Sequence, residues 1–147
     1  MTDLSNLLKI NGKDAWTTWN AFLGEQNGES KNMNSLMRIP AVKEVTKVDF
    51  HERNGVELPP NPQLTFKAIE RPLKFWILET TKTALLAKYG AFMREVSKGK
   101  ISLDITGWRQ CTLVYQDMAN QPEIYEEPGR MSAVVFTIKF LEPNPII

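Results

Sequence analysis

The residues able to do chemistry in this chain are few and far apart. Its only histidine, His51, sits in Asp49-Phe50-His51-Glu52. An Asp-x-His-Glu run offers ligand types, but zinc needs three or four ligating groups and there is no second His or Cys to complete the set. A solvated turn histidine is the better reading. A Ser-His-Asp triad is open to any chain with one histidine, yet no Gly-x-Ser-x-Gly elbow holds a serine for it. The lone cysteine, Cys111, lies in the apolar run Cys111-Thr112-Leu113-Val114-Tyr115 and reads as a packed thiol. Glu126 and Glu127 are adjacent, so in a strand they would face opposite ways, which is wrong for a shared acid/base site. A solvated loop is the reading for them. No Walker A and no Gly-x-Gly-x-x-Gly occurs. We therefore expect no catalytic, cofactor-binding or metal-ligating residues and no enzyme activity.

Surfaces are the remaining candidates. Lys43, Lys47 and Arg53 around Phe50 would form a basic patch, but Glu44, Asp49 and Glu52 interleave with them and cancel the field. The formal charge is +1, giving no global attraction for nucleic acid or an acidic membrane. No apolar run approaches the roughly 20 residues that span a bilayer. The start, Met1-Thr2-Asp3-Leu4, lacks the basic and apolar regions of a Sec signal, so synthesis and assembly in the cytoplasm are expected. Four tryptophans, Trp16, Trp19, Trp76 and Trp108, are core by default. Trp16 and Trp19 stand beside a polar loop and are candidate anchors for a partner.

The elements that would carry these residues are mostly strands. With 147 residues the chain is expected to form one domain (1–147). Leu7-Leu8-Lys9-Ile10 reads as a strand, Asn11-Gly12 as a tight turn, and Ala15-Trp16-Thr17-Thr18-Trp19 as the return strand. Residues 24–34 are Gly/Asn/Ser-rich and read as an eleven-residue loop; 35–39 and 42–50 look extended. Asn54-Gly55 is a second turn signal, followed by a proline-rich connector at 58–62 and a strand at 64–68. Residues 72–78 fit a strand or a helix entry, and strand is favoured. From Thr80 the pattern is helical to about Lys98: Leu85, Leu86, Tyr89, Phe92, Met93 and Val96 recur every three or four residues, and Gly99 stops the run. Strands follow at 101–105, 111–115 and 131–141, with a polar connector at 117–128. In the last strand Ser132, Val134, Phe136, Ile138 and Phe140 share one face, while Met131, Ala133, Val135, Thr137 and Lys139 share the other. The fold class expected is α+β: a mostly antiparallel β-sandwich or barrel flanked by one main α-helix, about 80–98.

In this order of elements, Ile10-Asn11-Gly12-Lys13-Asp14-Ala15 with the tryptophan-bearing stretch after it resembles the opening of bacteriophage and prophage tail proteins of the distal-tail or tail-tube type. The run Val42-Lys43-Glu44-Val45-Thr46-Lys47-Val48-Asp49-Phe50-His51-Glu52-Arg53-Asn54-Gly55 is similar to that family's strand entering an Arg-Asp/Asn-Gly hairpin. The motifs are short, and their order over nearly the whole chain carries the likeness. The resemblance implies a structural subunit of the virion tail, forming a hexameric ring with itself and contacting other tail proteins through loops and strand edges. Residues 24–34 and 55–63 would be the arms. The assembly-interface residues expected are Trp16, Trp19, Glu25, Lys31, Arg53, Asn54 and Gly55. The long C-terminal domain of full-length distal-tail proteins is not matched, which leaves tube, tube-end and connector open. A small-molecule-binding β-barrel or another non-catalytic binding module is the alternative.

Overall fold

The computed structural model describes residues 4–25, 31–43, 48–49, 56–57, 65–127 and 129–145. The chain opens with a hairpin, β1 (Leu8–Ile10) and β2 (Lys13–Asp14), whose turn residues Asn11 and Gly12 take φ of 54° and 79°. Asn and Gly adopt this left-handed geometry at low cost, as a two-residue hairpin requires. The expected return strand at 15–19 is instead a short helix, α1 (Ala15–Trp19). Asp14 decides this by accepting a hydrogen bond from the Thr17 backbone N–H at 3.2 Å, a helix cap that stops the hairpin after two residues. Ala15 and Trp19, four apart, then fall on the same buried face. The helix ends at Asn20 in the left-handed region, and β3 (Ala21–Leu23) follows.

The polar stretch expected as loop and extended chain contains a second helix, α2 (Lys31–Met37), which buries Asn32 and Leu36 at helical spacing. Then come the two-residue strands β4 (Val48–Asp49) and β5 (Val56–Glu57), paired with each other. The strand expected at 64–68 reduces, among the described residues, to a bridge between Phe66 and Val42. Regular pairing starts with β6 (Ile69–Glu79), which confirms strand for residues 72–78. Helix α3 (Lys82–Val96) carries the cap on Thr81, whose hydroxyl accepts from the Ala84 N–H. β7 (Lys100–Ile105) and β8 (Arg109–Met118) form a hairpin. The connector expected at 117–128 holds one more strand, β9 (Glu123–Glu127), before β10 (Met131–Glu142).

All strands but β4 and β5 join one antiparallel sheet, β2-β1-β7-β8-β10-β6-β3 with β9 also paired to β10, curled as a half-barrel. The class is therefore α+β, as expected, in its barrel-like form and with open edges. Its spine is the β6–β10 ladder, continuous from Ser132↔Glu79 to Glu142↔Ile69. The two faces of β10 are those read from its alternation. Leu73, Phe75 and Ile77 join Val134, Phe136, Ile138 and Phe140 on the inner side, where α3 lays Leu85, Phe92 and Val96. Leu86, assigned to the helical stripe, is instead 48% exposed. It lies 100° around the helix from Leu85, outside the sector that meets the sheet.

The last turn of α3 also buries a charge. The Glu95 carboxylate accepts from Lys13 Nζ at 2.7 Å and Asn11 Nδ2 at 3.0 Å, and pairs with Lys98 at 3.2 Å, which ties the first hairpin to the helix. The Lys13 hydrogen bond, outweighing the cost of burial, holds its pKa at about 2. A folded value below the unfolded one gives stability that is complete above the unfolded pKa and lost as the pH falls through the folded one. Glu95→Gln is thus expected to be less stable than the parent near neutrality, with the gap closing as pH falls from about 4.5 to about 2. Urea midpoints of both proteins across that range test this; a pH-independent gap would assign the effect to packing.

Candidate functional site

The outer side of the spine carries a cleft of about 720 Å³. Its floor is the outward face of β6 and β10, including Pro72, Lys74, Val135 and Thr137. One wall is α2, through Asn34 and Ser35, with Arg38 just past its end. The opposite wall is the β8–β9 joint and β9, through Asn120, Gln121 and Tyr125. The joint exists because β10 is longer than either neighbour on that side: β8 lays its Val114–Met118 against the C-terminal half, Ile138–Leu141, and β9 takes the N-terminal half. Residues 119–122 bulge between them, stitched by the Ala119 N–H donating to the Thr137 carbonyl at 2.9 Å.

The α2 wall is held where β3 stops. β3 reaches only Phe75, and past it the Gly24 N–H donates to the Lys74 carbonyl at 3.2 Å, which leaves the Lys74 N–H without a strand partner. Asn32 fills the gap with its side chain: Oδ1 accepts from the Lys74 N–H at 2.6 Å, and Nδ2 donates to the Lys74 carbonyl at 3.0 Å. A side-chain amide thus replaces a missing strand. Glu25 accepts from the Asn32 backbone N–H and so completes the start of α2. At the other end two guanidinium groups, one buried and one partly buried, meet the carbonyls of the helix's last turn and its exit. Arg71, 1% exposed, donates to the Ser35 and Arg38 carbonyls at 2.5 and 3.0 Å, and Arg109 donates to that of Leu36. Both share the buried Glu142, with Arg71 Nε at 2.6 Å and Arg109 at 3.5 Å. Cations at a helix C-terminus suit its dipole.

An aromatic row runs along the same outer face. Trp16 meets Phe22 edge-on at 6.0 Å, Phe22 stacks on Trp76 at 6.4 Å, and Trp76 stacks on Tyr125 at 6.3 Å. Gly24 lies against the Trp76 indole so closely that a Cβ there would sit 2.2 Å from Cδ1. Tyr125, at the outer end, is 49% exposed and donates to Glu123 at 2.6 Å. Hydrogen bonding to that carboxylate raises the phenol's pKa. Beyond it, every residue of β9 is exposed, and among the described residues no strand pairs with its outer edge.

No protein-family model matches the chain, and no curated protein matches it. Among solved structures it is similar to the Dit (gp 19.1) protein of SPP1, described as a paradigm of hub adsorption apparatus in Gram-positive infecting phages. The TM-score is 0.47 at 13% identity, over 95% of this chain and 52% of that one. The chain thus spans about half the length of the structure it matches.

Of the residues expected at an interface, Trp16 is half-buried at the inner end of the aromatic row. Trp19 is core: it is 4% exposed and edge-on to Phe92 at 5.7 Å, so it presents no anchor to a partner. Glu25 spends its carboxylate on α2, and Lys31 is exposed at the mouth of the cleft. Arg53, Asn54 and Gly55 lie outside the described residues, as do His51, Lys47 and Phe50. Glu126 and Glu127, expected in a loop, are in β9. They pair separately, with Lys82 at 3.8 Å and Arg130 at 2.9 Å. Cys111 is buried as expected, and burial lifts its thiol to about 11. The residues that reading missed are Asn32, Arg71, Tyr125 and Glu142. Only Arg71 left a trace, as a cation on the inner side of an otherwise apolar alternation.

Proposed function

We propose that this chain is a structural, non-catalytic subunit of a phage or prophage tail, at the tube, the tube-end or a connector. In this reading copies join head to tail in a ring, with a hexamer expected, and the ring contacts other tail proteins. The observation that carries it is the open edge of β9. A strand exposed at all five positions, with one side unpaired among the described residues, can recruit another chain through its backbone N–H and C=O groups without any special side chain. Ring closure needs a heterologous contact, and β9 favours one: an edge bearing Glu123, Glu126 and Glu127 repels its own copy. The likeness of residues 10–15 and 42–55 to tail proteins points the same way.

Light scattering across concentration with negative-stain electron microscopy tests the reading. Rings or stacked tubes are expected, and Ile124→Lys on β9 should abolish them while circular dichroism stays unchanged. A strict monomer at the highest soluble concentration, alone and with tail proteins from the same genome, would overturn it. A second reading, a binding module, is favoured by the cleft between α2 and β9.

A further inference from the structure

We propose that the cleft between α2 and β9 is a binding site for a neutral oligosaccharide. It rests on the binding-module reading and needs no ring, so it stands or falls apart from the assembly reading.

The lining chemistry selects the ligand class by elimination. The cleft volume, about 720 Å³, falls within the range of small-molecule sites. An anion would gain Lys31, Arg38 and Lys74 but would face Glu70 and Glu123 across the same space. At the start of α2 the Asn32 N–H is already taken by the Glu25 carboxylate, whose charge also opposes an anion there. A cation meets the reverse problem. An apolar ligand would desolvate the wall amides with nothing to offer them, which costs free energy for each polar group left unpaired. Hydroxyl groups, which both donate and accept, avoid every one of these penalties.

Three observations favour such a ligand. The Ser35 hydroxyl, at the α2 wall, is buried and has no hydrogen-bond partner among the described residues. A buried polar group without a partner is uncommon and marks a place where something else bonds. The side-chain amides of Asn34, Asn120 and Gln121 make no hydrogen bond among the described residues. They stand on both walls as planar donor–acceptor pairs. Tyr125 offers a half-exposed ring held flat by Trp76 behind it, an apolar platform already fixed in orientation. Aromatic platform, amides on facing walls and a mixed-sign rim together suit the C–H face and hydroxyl edge of a sugar ring.

The test uses the full chain, isotope-labelled, titrated with maltotetraose, cellotetraose and tetra-N-acetylchitotetraose, and with a heparin tetrasaccharide as the anionic comparison. At about 10 mM probe, which nearly saturates a millimolar site, amide shifts are expected at Ser35, Lys74, Gln121 and Tyr125 with at least one neutral probe. Tyr125→Ala should weaken that binding about tenfold, the loss of one aromatic contact, while Tyr125→Phe retains it. Gln121→Leu, exposed and remote from the core, should weaken it too. Silence with all three neutral probes would overturn the proposal. So would a response confined to the heparin fragment, shifts centred elsewhere, or equal affinity in Tyr125→Ala.

Discussion

Replacing Arg71 by methionine should cost about 3–5 kcal/mol, a large share of a typical domain's stability. The methionine fills much of the space, so the loss is electrostatic: Glu142 is 2% exposed and keeps only Arg109, at 3.5 Å, in place of the 2.6 Å pairing it loses. A carboxylate buried with poor compensation is the expensive species. The Ser35 and Arg38 carbonyls lose their donor at the same time, so α2 should loosen from the sheet. Urea denaturation reads the first effect, and faster hydrogen exchange at residues 31–38 reads the second. Adding Glu142→Leu to the same chain should recover part of the loss, because it removes the stranded charge. A cost under about 1 kcal/mol for Arg71→Met would mean that water reaches the pair and that it behaves as a surface ion pair.

Phe92→Ala is the other large effect, about 3–5 kcal/mol. The ring stands between both strands of the spine and α1. It lies 5.1 Å from Phe75, 5.6 Å from Phe136 and 5.7 Å from Trp19, each pair tilted or edge-on. Truncation removes all three contacts and leaves a cavity that a ladder paired along its whole length cannot collapse to fill. Leu86→Ala on the same helix is the internal comparison. That side chain is 48% exposed, and its loss should cost less than about 1 kcal/mol. Equal losses at the two positions would show that the helix is rotated from the orientation described.

How much of this was legible depended on whether the signal was local. Helix α3 was readable to within two residues at each end because its cap, its stripe and its terminating glycine lie along one segment. The two faces of β10 followed from strict alternation, which no neighbour could alter without turning the core inside out. The failures were also local in appearance. Ala15–Trp19 has strand-favouring residues, yet one capping contact from Asp14 turned it into a helix. Residues 31–37 have the composition of a loop, and their helix is held by Arg71, Arg109, Asn32 and Glu25.

The candidate site was illegible for the same reason. Its walls come from segments some 85 residues apart in the chain, with Ser35 on one and Asn120 on the other. Tyr125 sat in what read as a polar connector, because β9 exists only where β8 leaves half of β10 unpaired. By itself the sequence determined the α+β class, the main helix and the inward face of the last strand, since periodicity and caps act within a few residues. Only the tertiary structure decided which strand edge stays open, which charges are buried together and where a cleft forms. Those depend on strand length and register between segments distant in sequence, and no local pattern encodes them.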